Sequence, residues 1–160
     1  VLGRYRRSMG SRNPFTLAAA NDLAIFRFRD GRHAQARSLI DETAEQFAEE
    51  LGVEHPYTLL CRGNLANAMF AAGEVEAAHE IDEDNYLRLR ALVSAGSPAV
   101  LAAAANLVAS REATGDRDGA AQLRSDALRA CLERLGTDHP YAVSLRDGER
   151  INSDIEPTET

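Results

Sequence analysis

Four of the five prolines in this 160-residue chain stand at positions 14, 56, 98 and 140, each 42 residues after the one before. The flanks recur with them. "GVEHPYTL" at residues 52–59 returns as "GTDHPYAV" at 136–143, with worn copies "GSRNPFTL" around Pro14 and "SAGSPAVL" around Pro98. A fixed period of this length marks one supersecondary unit stacked on copies of itself. Other columns keep the register. Nine residues after successive prolines come Leu23, Leu65 and Leu107; ten after, Ala24, Ala66 and Val108; seventeen after, Gly31, Gly73 and Gly115; twenty-two after, Ala36, Ala78 and Ala120. Five before each proline stand Met9, Leu51, Val93 and Leu135.

Each column has a physical task. Proline fits the first turn of a helix, where its missing N–H costs nothing. Asn13 and Ser97, just before Pro14 and Pro98, are good N-caps, and His55 and His139 fill the same slot in the other copies. A glycine some four turns later can take the left-handed conformation that ends a helix. Alanines on both sides of that glycine let two helices approach closely. The unit is therefore a helix pair. Helix A is expected near 14–29, 56–71, 98–113 and 140–152, and helix B near 32–51, 74–93 and 116–135. One pair cannot bury its apolar stripes alone, but stacked pairs can.

Composition agrees. Aromatics are 6%, there is no Trp, and strands find no support in runs of alternating β-branched and polar residues. The expected fold is all-α: a right-handed superhelical array of antiparallel helix pairs, with three repeats (14–55, 56–97, 98–139), a C-terminal capping helix over 140–152, and residues 1–13 as the stub of a preceding repeat. The polar, acidic end from residue 153 to 160 is expected to be a disordered tail. The stub predicts a fragment of a longer array.

The repeats resemble tetratricopeptide repeats (TPR). The 42-residue period and the linker "LGVEHPYTL"/"LGTDHPYAV", with the helix-A motifs "GNLANAMFAAG" and "ANLVASREATG", resemble the kinesin-light-chain-like subgroup. Within it, "AAHEIDEDNYLRLR" and "RINSDIEP" resemble actinobacterial TPR proteins of FxSxx-COOH peptide-modification systems and regulators that join TPRs to a nucleotide-binding switch domain of the NB-ARC kind. "SAGSP" departs from the linker pattern between repeats two and three.

Chemistry finds little to stand on. There is no Gly-rich phosphate loop, no GxSxG elbow and no His pair four apart with a Glu, so no catalytic residue, metal site or cofactor is expected. His55 and His139 read as helix starts. The carboxylates Asp82, Glu83 and Asp84 read as a solvated helix face. Cys61 and Cys131 read as small buried apolar residues. The net charge of −7 disfavours nucleic acid. The arginines at 4, 6, 7 and 12 read as the solvated face of a helix end, with an RNA-binding arm as the alternative. The longest apolar run, Ala99 to Ala105, is too short to cross a membrane. No signal peptide is visible, and the chain is expected to be cytoplasmic.

Binding has more support. The resemblance places groove residues seven, eight, eleven, fourteen and fifteen positions after each proline. The candidates are Asn21, Ile25, Phe28 and Arg29 in repeat one, Asn64, Asn67 and Phe70 in repeat two, and Asn106 in repeat three. Asn is a mediocre helix former, so its recurrence asks for a reason. Its amide sets a donor beside an acceptor, which suits either the clamping of an extended peptide backbone or a bond between repeats. Phe28 and Phe70 read either as inter-repeat core or as the apolar floor of a ligand site. The expected function is a non-catalytic scaffold that binds a peptide or protein segment in the groove, within a larger bacterial regulatory or peptide-modification protein. The alternative is a structural spacer or self-association module that forms a homo-oligomer.

Overall fold

The computed structural model describes residues 1–157. Among them are eight α-helices and no strand: α1 (Leu2–Met9), α2 (Pro14–Arg29), α3 (His33–Leu51), α4 (Pro56–Ala71), α5 (Val75–Leu92), α6 (Pro98–Thr114), α7 (Arg117–Leu135) and α8 (Pro140–Asp147). The fold is the all-α helical repeat array that the period predicts, and α2 to α7 begin and end within a residue of the expected bounds. Each helix packs on the next, and α2, α4, α6 and α8 also touch in series. The A helices thus form one continuous wall, with the B helices behind it.

The four prolines each open a helix, and the residue before each caps it. Asn13 Oδ1 accepts from Phe15 N–H at 3.0 Å, and Ser97 Oγ accepts from Val100 N–H at 3.3 Å. His55 and His139 use Nδ1, which accepts from Tyr57 and Tyr141 N–H at 3.2 Å. An imidazole ring nitrogen here replaces the usual capping oxygen for one of the orphan amides of the first turn. Between repeats, Gly52 and Gly136 sit at φ 96°, ψ 157° and φ 90°, ψ 174°, a region essentially closed to other residues. At the worn linker Ser94 stands in the glycine's register, and the helix is capped one residue earlier by Val93, which is ordinary extended backbone at φ −139°. Helix α5 stops at Leu92, yet α6 still starts on Pro98, so the departure changes the turn and not the stacking.

The small-residue columns are core. Ala24, Ala66, Ala36, Ala78 and Ala120 are all buried, as are Cys61 and Cys131. Burial pushes the Cys61 thiol well above its ordinary range. One apolar cluster fills repeats one and two, and another fills repeat three and α8. Leu59, Leu89 and Val100 form a small third cluster beside the worn linker.

Helix α8 is shorter than the expected cap. Gly148 takes the left-handed conformation (φ 72°, ψ 22°), and the amide of Glu149 donates back to the Ser144 carbonyl at 2.9 Å. That closes the helix at Asp147 and turns the chain around. Residues 149–157 then run without helix along the wall of α2, α4 and α6. Ile151 is buried with the repeat-three cluster, and Ile155, 3% exposed, with the cluster of repeats one and two. The acidic tail expected from residue 153 divides accordingly. Residues 153–157 have a defined path: wall side chains bond to the Ser153 amide and carbonyl and to the Glu156 carbonyl, and Ile155 is buried; residues 158–160 lie outside the described residues.

Candidate functional site

Asn64 and Asn106 hold the same place in their repeats, eight residues after Pro56 and Pro98. In each the amide closes a ring with one residue of the tail. Asn106 Oδ1 accepts from Ile151 N–H at 2.7 Å while its Nδ2 donates to Ile151 C=O at 3.1 Å. Asn64 Oδ1 accepts from Ser153 N–H at 2.8 Å while its Nδ2 donates to Ser153 C=O at 2.7 Å. The clamped residues are two apart, the step at which an extended chain presents its amide and carbonyl to the same side again. The two amides do for this segment what a neighbouring strand would do.

Asn64 Nδ2 also donates to Asn21 Oδ1 at 2.8 Å, joining repeats one and two. Asn64 therefore bonds at once to the neighbouring repeat and to an extended stretch of the chain's own backbone. Asn67 adds a third contact: Nδ2 donates to Ile151 C=O at 2.8 Å and to Asn152 Oδ1 at 2.9 Å. Asn21 approaches Ser153 C=O at 3.4 Å. All four Asn are buried. Tyr57, which the sequence did not single out, donates its hydroxyl to Glu156 C=O at 3.2 Å.

The column changes character in repeat one, where Asp22 replaces the amide. A carboxylate accepts but cannot donate, so it cannot close the same ring. Its pKa is raised, chiefly by lost hydration and then by Asp154 and Glu156, with the Asn21 amide pulling the other way.

The other end of the segment carries a charge. Arg150 Nη1 and Nη2 each donate to an oxygen of Asp82 at 2.8 Å. Nε donates to Asn67 Oδ1 at 2.7 Å, and Nη1 also reaches the Asn106 carbonyl at 3.1 Å. The guanidinium lies over the Phe70 ring, 4.6 Å from its centroid. The side chains of Arg150 and Asp82 are 12% and 1% exposed. Burial drives the Asp82 pKa up, and Arg150, Ser110 and His79 offset this in part.

This corrects the sequence reading of the 82–84 cluster as a solvated face. Glu83 is exposed, but Asp82 points into the wall. The signal was available in the period: 42 residues before Asp82 is Ile40, a buried residue of α3, and 42 after is Arg124, which pairs with Glu112 at 2.8 Å. A position that holds buried Ile in one copy faces inward in the others.

The remaining candidates split. Ile25 and Phe28 line a shallow apolar niche with Asn64, Ala68 and Asn152. Phe28 and Phe70 also pack against the core cluster of the first two repeats, so Phe70 serves both as core and as the platform under Arg150. Arg29 stands exposed in the last turn of α2 and makes none of the contacts to the tail. Among the described residues no group of three or more His, Cys, Asp or Glu could hold a metal ion, and no helix is long and apolar enough to cross a membrane.

The helix pairs and their wall have a counterpart among known families: residues 15–84 match the family model described as tetratricopeptide repeat. Repeat folds of this kind generally serve as protein-interaction scaffolds. Among solved structures, the kinesin light chain of Podosopora anserina with nearly identical TPR-like repeats superposes with a TM-score of 0.77 at 25% identity, over 84% of this chain and 64% of that one. A point variant of that protein gives 0.74 at 24% identity, over 92% and 69%. BtubC (BKLC) from P. vanneervenii gives 0.72 at 21% identity, over 90% and 58%. The chain thus spans less than two thirds of the first of these. No curated protein matches it.

Proposed function

We propose that the wall of α2, α4 and α6 is a non-catalytic groove for an extended peptide or protein segment, and that residues 150–156 of the chain occupy it in cis. The observation that carries this is the pair of two-point clamps, Asn106 on Ile151 and Asn64 on Ser153. A clamp that reads only backbone accepts any extended chain that reaches it. The sequence resemblance adds a setting, a bacterial regulatory or peptide-modification protein, which the neighbouring genes would test.

The direct test is a titration. A tethered segment competes at an effective concentration of about a millimolar, so the cis segment must first be released. In the intact chain this is done with Arg150→Gln, Ile151→Asp and Ile155→Asp together. A labelled peptide of residues 148–157 should then bind in trans. Adding Asn64→Ala and Asn106→Ala should weaken it by at least about tenfold, since each clamp removes two buried hydrogen bonds. Unchanged affinity would remove the groove assignment.

A further inference from the structure

Resting on that reading, we infer that Asp82 sets the side-chain specificity of the groove. Its partner is a segment of another protein with an arginine followed directly by an aliphatic residue, and a second aliphatic residue four positions beyond the first. Residues 150–155 are a cis copy of that pattern, which the partner displaces.

Four features of the subsite lead there. Asp82 is a carboxylate with a side chain 1% exposed, and the cation that pairs with it comes from the segment and not from the wall. Removed from water, such a group needs a counter-charge from whatever fills the groove. Second, the acceptors match a guanidinium. Four of its five N–H groups have partners: two on Asp82, one on Asn67 and one on the Asn106 carbonyl. A lysine ammonium is a point charge and cannot reproduce that fork. Third, the Phe70 ring offers its face at 4.6 Å, the stacking surface a planar cation prefers. Fourth, the next position is fixed. The Asn106 clamp holds the Ile151 backbone, and its side chain is buried in the repeat-three cluster; Ile155 is buried in the other. Asn152 and Asp154 between them lie outside both clusters.

The repeat register gives this pocket to one unit alone. The equivalents of Asp82 are Ile40 and Arg124, so repeat one has no charge there and repeat three has the opposite one. The groove therefore reads a cation at one place along its length, which fixes the register and direction of the bound segment.

The test uses the tail-released chain and three versions of the 148–157 peptide, carrying arginine, lysine or citrulline at position 150. Citrulline keeps the shape and loses the charge. Expected affinities fall by about tenfold for lysine and about 100-fold for citrulline. Citrulline within about threefold of arginine would overturn the assignment of Asp82, while leaving the groove intact. No binding by any peptide to a chain that is still helical would instead overturn the groove reading. A tail-exchanged dimer that excludes the peptide would overturn the foreign partner in favour of self-association. Should the released chain fail to fold, amide exchange on otherwise wild-type chains answers the same question. Arg150→Gln should expose the Ile151 and Ser153 amides at least tenfold more than Arg150→Lys does, and equal protection in the two would overturn the inference.

Discussion

The stretch of wall that holds Arg150 and Ile151 and the stretch that holds Ser153 to Glu156 share one Asn column, yet they hold the segment by different physics. At the first, a clamp is joined to a buried ion pair, an aromatic face and a buried Ile. At the second, the contacts to the segment are to backbone, from Asn64, Asn21 and Tyr57, with Ile155 the apolar addition. Backbone contacts are generic, because every residue offers the same amide and carbonyl. A buried charge is selective, because an unmatched partner leaves it without compensation. On the proposed reading one half selects by charge, while the other grips backbone and asks only for an apolar side chain at one position.

The contrast is most easily broken at the ion pair. Asp82→Ala leaves the Arg150 guanidinium without its counter-charge and should cost about 3–5 kcal/mol of stability in urea unfolding. The segment can undock, so part of that cost should appear instead as loss of protection at Ile151. Replacing both partners by apolar residues of similar size, Asp82→Leu with Arg150→Met, should recover most of the loss. If Asp82→Ala costs no more than about 1 kcal/mol, the two halves do not differ as described.

A smaller effect separates the clamps. Asn106→Ala and Asn64→Ala should each cost about 1–2 kcal/mol, one buried amide's worth of hydrogen bonds. Amide exchange should localise them. Asn106→Ala should open Ile151 first and Asn64→Ala should open Ser153 first. If both amides open equally in both variants, the halves act as one cooperative unit.

The smallest effect lies two residues from Asp82 on the same helix. Asp84 is half-buried and pairs with Arg62 at 2.8 Å and Arg88 at 2.7 Å. Burial works against its charge, but the bonds and attraction of Arg88 and Arg62 outweigh it and hold its pKa below the ordinary range. A carboxylate more acidic when folded stabilises the chain above its unfolded pKa. That contribution is lost as pH falls from the ordinary Asp range through the lowered value. Asp84→Asn should flatten the acid limb of stability against pH and cost about 0.5 kcal/mol at neutral pH, as part-exposed pairs do. A steeper acid limb in the variant would reverse the assignment.

Much of the fold was legible because it rests on local rules repeated in register: proline and cap at the start of each A helix, glycine at the turn within each pair, alanine where helices touch. The Asn column was legible for the same reason. Asp82 was missed because its neighbours Glu83 and Asp84 disguise it as part of an acidic surface run, and only the comparison with Ile40 reveals its inward position. Arg150 was missed for a different reason. Its role depends on contacts with Asn67 and Asp82, 83 and 68 residues back in the chain, which no local pattern encodes. The cap was drawn too long because helix propensity alone does not say when a glycine will turn left-handed.

That glycine decides more than where a helix stops. A Cβ on Gly148 would meet the side chains of Arg124 and Glu112 at 3.5 and 3.6 Å, and its backbone rotation is one that side chains rarely adopt. Put an ordinary residue at this pivot and the coil of α8 gains a reason to carry straight on, sending everything after it out into solvent. The occupant would then leave its berth without any wall residue being altered, so its seating depends on a turn outside the wall as well as on the wall itself.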